Sequence, residues 1–229
     1  MCSSDLKLRV AVNDFDFNSY VRLLTDFANE DLSAFFFDIR KDCLYCDAPT
    51  DPKRMAYRTV LDILFHALVR YAAPVLVFTS EEVWQTRFPD ADSVHFSDWP
   101  EVDAGWVDNG LGQKWETVRY LRTAITGQIE PLRREKTLGS SLEAEAIVTV
   151  GLIDDPHSIA HLDFAELAIV SHATISLSDD KPLGEGSMPW VNATIAVTTN
   201  HKCGRCWRHL PEVVEDGALC GRCEDVVGG

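Results

Sequence analysis

Two Cys-Gly-Arg-Cys units near the end of the chain, Cys203-Gly204-Arg205-Cys206 and Cys220-Gly221-Arg222-Cys223, constrain this sequence more than any other feature. Thirteen residues separate them. Two short knuckles at that distance can bring four thiolates to the corners of a tetrahedron, the arrangement in which Zn²⁺ is held in closed structural sites. The glycine in each knuckle is expected to let the chain turn tightly enough for both sulfurs to face one point. Four protein ligands leave no position for water, so such a metal holds structure and does not catalyse. The competing readings are a pair of disulfides or four reduced core thiols. Seven cysteines, an odd number, and the lack of a basic-then-apolar leader at the start favour a reducing cytoplasm. One structural zinc on Cys203, Cys206, Cys220 and Cys223 is therefore the expectation.

The 229 residues are 46% hydrophobic and 25% charged, enough for one or two domains with a real core. No apolar run reaches the roughly 18 residues of a membrane span. A net charge of −15 argues at first against a nucleic-acid partner, because phosphate attraction supplies much of such binding. The distribution qualifies this. Residues 112–136 carry six basic and three acidic side chains, and 201–222 carry four and three, so a modest basic excess is confined to two stretches.

The first two-thirds read as helices. Phe17, Tyr20, Leu24, Ala28, Leu32, Phe35, Ile39, Cys43 and Cys46 recur at threes and fours along one helix face, with Asn18 or Ser19 as cap and Asp47-Ala48-Pro49 as terminator. A second helix is expected from Thr50-Asp51-Pro52, buried at Val60–Tyr71 and broken at Pro74. The Thr79-Ser80-Glu81-Glu82 pattern suggests a capping box opening a short helix to Phe88. Residues 89–111 form an acidic connection that Trp99 and Trp106 are expected to pin to the bundle. Another helix is expected over 111–134, with Trp115, Val118, Leu121, Ile125 and Ile129 on its apolar side.

After Gly139 the period changes. Three β-branched, partly alternating segments, 146–150, 172–177 and 191–197, read as strands, with a short capped helix over 163–169. The fold class is thus mainly α: a helical bundle over 1–136, a small α+β junction over 137–199, and a four-cysteine zinc-binding module over 200–229.

Several segments carry a resemblance. Phe27 to Asp38 (FANEDLSAFFFD), Leu64 to Leu68 (LFHAL), Ala73-Pro74 and Thr79 to Trp84 (TSEEVW) resemble the anticodon-binding helical domain of class I aminoacyl-tRNA synthetases of the Ile/Val/Leu/Met group. Arg134 to Ala144 (REKTLGSSLEA), followed by Lys202 to Trp207 (KCGRCW) and Cys220 to Cys223, is similar to the C-terminal part of bacterial isoleucyl-tRNA synthetases. A related zinc module occurs in some DNA glycosylases. The resemblance implies a tRNA partner, an isoleucine isoacceptor read at its anticodon stem-loop, with no DNA and no membrane partner. It also implies a monomer in the cytoplasm. Family enzymes join isoleucine to tRNA with ATP, using a His-x-Gly-His element and a Lys-Met-Ser-Lys-Ser loop; neither stands in this sequence. The expectation is a truncated product or C-terminal portion that is inactive by itself, ATP belonging to the missing catalytic domain.

Unpaired bases are read by stacking on aromatic or guanidinium planes and by hydrogen bonds to their edges. Trp207, next to a metal ligand, is the candidate platform; Lys202, Arg205, Arg208 and Arg222 are candidate donors beside it. The bland alternative packs Trp207 beneath the metal loop as a miniature core. Arg133, Arg134 and Lys136, with Arg119 and Arg122, are candidate phosphate contacts, or simply a solvated helix face. Cys43 and Cys46 read as core thiols, and His201 and His209 as bystanders. His66, His95, Glu81 and Glu82 form no catalytic set. No catalytic residue is assigned. The rival class is a zinc-ribbon module that docks proteins without tRNA preference.

Overall fold

The computed structural model describes residues 2–151, 159, 161–178 and 189–228, so 152–158, 160 and 179–188 of the expected 137–199 junction lie outside the described residues. The chain divides into two compact units, Met1–Leu44 with Ala48–Asp108, and Tyr45–Asp47 with Asn109–Gly229. Among the described residues no helix is long and apolar enough to cross a membrane.

Unit 1 is helical. It opens with α1 (Cys2–Asn13), an element beyond the helices expected above, although Leu8, Ala11 and Val12 fall at helical spacing and pack in its core. The long expected helix is present as α2 (Phe17–Asp26), a π-helical stretch (Phe27–Phe37) and α3 (Asp38–Cys46) in unbroken succession. Its cap is Asp16, whose carboxylate accepts from the Ser19 amide at 3.0 Å, and not Asn18 or Ser19. Asp51 caps α4 (Pro52–Ala72), accepting from Lys53 N and Arg54 N. That helix is buried on more than one face, Ala67 and Tyr71 packing with Leu8 and Tyr20 and Val69 with Ala73 and Val94, while Val60 is exposed.

α5 (Val77–Arg87) starts two residues before Thr79, without a side-chain cap. The expected capping box is absent because the helix already opens at Val77, which places Thr79 inside it and not at its cap; Glu81 holds the following loop, accepting from Ser93 Oγ at 2.7 Å and Val94 N at 3.0 Å. Trp99 does pin that loop, its ring against Tyr20 and Tyr71. Trp106 is half exposed.

The centre of unit 1 is a buried polar hub. Asp5 Oδ1 accepts from Tyr71 Oη at 2.7 Å and Trp99 Nε1 at 2.8 Å, and Oδ2 accepts from Arg9 Nε at 3.0 Å. Tyr20 Oη donates to the Tyr71 carbonyl at 2.6 Å. Burial opposes ionisation of Asp5, but the Tyr71, Trp99 and Arg9 donors outweigh it and bring the carboxyl below its ordinary value. Burial, with the Asp5 charge, pushes the Tyr20 hydroxyl up to about 12.

Unit 2 is built on α6 (Asn109–Arg134) and a three-stranded sheet of β1 (Ala144–Val150), β2 (His172–Leu177) and β3 (Val191–Val197), in the order β2-β1-β3. β1 runs parallel to β2 and antiparallel to β3. The short helix α7 (Phe164–Ala168) lies in the β1–β2 connection, capped by Asp163 and closed by Ile169 in the left-handed region. Val118, Leu121, Ile125 and Ile129 are buried along α6, which lies against β1, β3 and α7. Alternation puts Ala144, Ala146, Val148 and Val150 of β1 inside. The compact units divide at Asp108/Asn109, and α6 lies with the sheet in unit 2. The last described element is α8 (Gly221–Gly228), which begins within the second knuckle.

Candidate metal centre and nucleic-acid interface

The four knuckle cysteines converge. Their Sγ atoms all lie within 4.8 Å of one another, and all four residues are buried. Cys206 Sγ and Cys220 Sγ are 3.8 Å apart, too far for a disulfide and close to the roughly 3.8 Å edge of a tetrahedron with 2.3 Å metal–sulfur bonds. The first knuckle is a tight turn beside a small ladder: Lys202 pairs with His209, Cys203 N donates to the Arg208 carbonyl at 2.9 Å, and Trp207 N to the Cys203 carbonyl at 3.0 Å. Gly204 is needed for close approach rather than for a turn conformation, since a Cβ there would stand 2.4 Å from the Gly217 carbonyl oxygen. Gly221 meets nothing within 4 Å, so the two knuckles are not equivalent.

The thiols differ electrostatically. Burial tends to raise the Cys203 thiol, yet amide donors from Cys206, Arg205 and Cys220 prevail and bring it down to about 6. Burial pushes Cys206 up to about 12, with the neighbouring thiols adding to it, and raises Cys220 above its ordinary value, with Cys223 and Cys203 adding to it. Four adjacent buried thiols cannot all ionise without a compensating cation, whereas a bound dication deprotonates its ligands outright. The donor set, its spacing and its burial therefore fit a soft divalent metal held for structure. His201 and His209 stand outside the set: His209 Nδ1 lies 2.9 Å from the Asn200 carbonyl and His201 Nδ1 3.5 Å from Asp216.

Around this frame the residues singled out in the sequence separate into two groups. Trp207 is 60% exposed, so it is not the module's core; that role falls to Val213, with Leu210, Ala218, Leu219 and Cys46. Its backbone sits at φ 66°, a left-handed conformation that a bulky residue seldom adopts. Lys202 Nζ stands 5.3 Å from the indole centroid, a cation–π distance. Lys202 is exposed as well. The arginines are engaged within the protein. Arg205 donates to the carbonyls of Cys46 and Tyr45, Arg208 Nη2 to the Ser171 carbonyl at 3.0 Å, and Arg222 Nη1 to Asp47 Oδ1 at 3.1 Å.

A second basic locus lies at the end of α6. Arg133, Arg134 and Lys136, all exposed, line an open depression of about 540 Å³ together with Glu130, Leu138 and Gly139. Arg133 pairs with Glu130 at 3.2 Å, and Lys136 takes a left-handed backbone at φ 61° as the helix ends. Arg122 is directed elsewhere, Nε donating to the Leu167 carbonyl at 2.8 Å. Of the thiols read as core, Cys43 is buried in the helical part, whereas Cys46 packs with the knuckle cysteines. No local signal could have revealed that contact, because it spans some 160 positions of the chain.

Comparison with known proteins decides the lineage. Residues 7–148 match the anticodon-binding domain of tRNA ligases, well over half of the chain. The chain belongs to that family. Residues 200–226 match the zinc finger found in FPG and IleRS, which coincides with the thiol cluster. Isoleucine–tRNA ligases are similar throughout: that of Zymomonas mobilis subsp. mobilis is 56% identical over 98% of this chain, that of Gluconobacter oxydans 50% over 89%, and that of Agrobacterium fabrum 43% over 93%. The chain spans 23%, 21% and 22% of those proteins, respectively. It is therefore an anticodon-binding-domain chain with a four-cysteine finger, aligned to about a quarter of each ligase.

Proposed function

We propose that this chain is the tRNA-binding portion of an isoleucine–tRNA ligase, engaging the anticodon stem-loop of an isoleucine isoacceptor. The observation that carries this reading is the succession, in one chain, of an anticodon-binding domain and an IleRS-type zinc finger. The complete ligase joins isoleucine to its tRNA using ATP; the residues here position the RNA and carry no part of amino-acid activation. In this reading 1–136 forms the anticodon-binding part, 137–199 a junction and 200–229 the finger. Cys203, Cys206, Cys220 and Cys223 hold one structural Zn²⁺. Trp207 offers an exposed face on which an unpaired base stacks, and Lys202 supplies a cation beside it. Arg133, Arg134 and Lys136 meet backbone phosphate, which positions the RNA without specifying it. Arg205, Arg208 and Arg222, engaged within the protein, support the frame. The protein acts as a cytoplasmic monomer with no DNA partner.

The test is equilibrium binding of the zinc-loaded chain to an isoleucine tRNA, the same tRNA with an exchanged anticodon, and an unrelated tRNA at one fixed salt concentration. Tighter binding to the first supports the reading. Equal, weak binding to all three contradicts it and favours a protein-docking role. Replacing Arg133, Arg134 and Lys136 together should flatten the salt dependence, by about 0.7 in log–log slope for each single-strand phosphate that is no longer neutralised.

A further inference from the structure

The two knuckles repeat their arginine as well as their ligands, and within unit 2 both arginines end on the same three residues. Arg205 Nη1 donates to the Cys46 carbonyl at 2.6 Å and Nη2 to the Tyr45 carbonyl at 3.2 Å. The same Nη1 lies 3.6 Å from Sγ of Cys223, a hydrogen-bonding distance for sulfur. Arg222 Nη1 donates to Asp47 Oδ1 at 3.1 Å, with the Asp47 side chain only 12% exposed. Cys46 belongs to the same buried cluster as the four knuckle cysteines and Val213. Tyr45 and Cys46 close α3, where carbonyls lack helical partners and a cation is the natural complement.

We infer that Arg205 is a positioning residue of the metal centre, and that Arg205 and Arg222 clamp residues 45–47 so that metal affinity and the seating of that segment are linked. A guanidinium N–H directed at a ligand sulfur fixes the orientation of that ligand, and outer partners of this kind govern metal affinity. The same guanidinium holds two carbonyls, so the sulfur contact and the segment contact share one rigid, planar group. Linkage of this form is reciprocal: what strengthens metal binding steadies residues 45–47, and the converse. The inference concerns protein and metal only and stands apart from the RNA reading.

The test uses the whole chain with Zn²⁺ and with Co²⁺ as a spectroscopic substitute. Arg205→Ala should lower Zn²⁺ affinity about 10–100-fold in competition with a chromogenic chelator. It should also shift the thiolate-to-Co²⁺ charge-transfer band, and speed amide exchange in peptides covering 45–47. Arg205→Lys, which keeps the charge but not the fork, should recover little of the affinity. Arg222→Asp should speed exchange at 45–47, and Arg222→Asp with Asp47→Arg should restore it, which tests the clamp even where Arg205→Ala fails to fold. Affinity within about twofold of the parent, an unmoved charge-transfer band, or failure of the exchanged pair to recover protection would overturn the inference.

Discussion

In unit 1 a single buried carboxylate is satisfied by the protein itself: Asp5 receives Tyr71, Trp99 and Arg9 within 3.0 Å, and Tyr71 packs in a core cluster with Leu8, Ala11, Tyr20 and Ala67. The thiol cluster of unit 2 has no such surroundings. Four cysteines face one another, and their apolar company is Val213 and Cys46 with three partly buried residues. The helical core would persist without any bound species, because burial of large side chains and completed hydrogen bonds hold it. A module of about 30 residues with one buried valine cannot be held that way and needs an external centre. Two buried polar centres in one chain thus differ in what completes them: the Asp5 carboxylate is met by the protein's own Tyr71, Trp99 and Arg9, whereas the four thiols form a donor set that fits an external dication.

The largest expected effect breaks that comparison most directly. Cys220→Ser, or a strong chelator, should unfold residues 200–228 while unit 1 keeps its helical circular dichroism. Structural zinc in small modules is worth about 10–16 kcal/mol in apparent binding energy, so no residual packing can compensate. Metal content together with peptide-resolved amide exchange reads both halves. A module as protected without metal as with it would remove the contrast.

Asp5→Ala comes next. It leaves Tyr71 Oη and Trp99 Nε1 without their acceptor, and should destabilise unit 1 by about 3 kcal/mol in urea unfolding. The pH dependence has a defined sign. The folded carboxyl ionises below its ordinary value of 3.8, so its stabilisation is complete above that pH and is lost as pH falls through the folded value. Asp5→Asn should flatten this acid limb, and a limb of undiminished slope would assign it to other groups.

Half of each centre is legible in the sequence. Paired C-x-x-C spacing is local, so the thiol cluster follows from counting, and the stripe from Tyr20 to Cys43 follows from helical period. The hub does not follow, because Asp5 meets Tyr71 and Trp99 across 66 and 94 positions and sits in a helix with weak amphipathic pattern. The contact of Arg205 with residues 45–46 is equally non-local. Arginines beside metal ligands, in a stretch resembling an RNA-binding module, read naturally as RNA donors, and only the folded arrangement reveals that Arg205 and Arg208 donate to carbonyls and Arg222 to the Asp47 carboxylate. The helix caps escape a local reading for another reason: Asp16, Asn18 and Ser19 are all residue types that cap, and α5 opens after Leu76, which offers no capping side chain.

Tyr20→Phe sharpens the picture of unit 1 at smaller scale. It deletes the 2.6 Å bond to the Tyr71 carbonyl and should cost about 1 kcal/mol, measured by the same unfolding curve. Trp207→Ala should be the mildest for stability, within about 0.5 kcal/mol, because the indole is 60% exposed. If the base-stacking role holds, the same substitution weakens tRNA binding by about 1–3 kcal/mol.

That separation leads to the deciding measurement, a cycle of tRNA binding in four states: parent and Trp207→Ala, each zinc-loaded and stripped. Strong non-additivity is the expected result. Removing Trp207 should cost affinity when the metal is present and almost none once it is gone, because an unheld module no longer presents the indole. Equal losses from Trp207→Ala with and without zinc would contradict the claim that the metal-held frame is what makes Trp207 a reader of RNA.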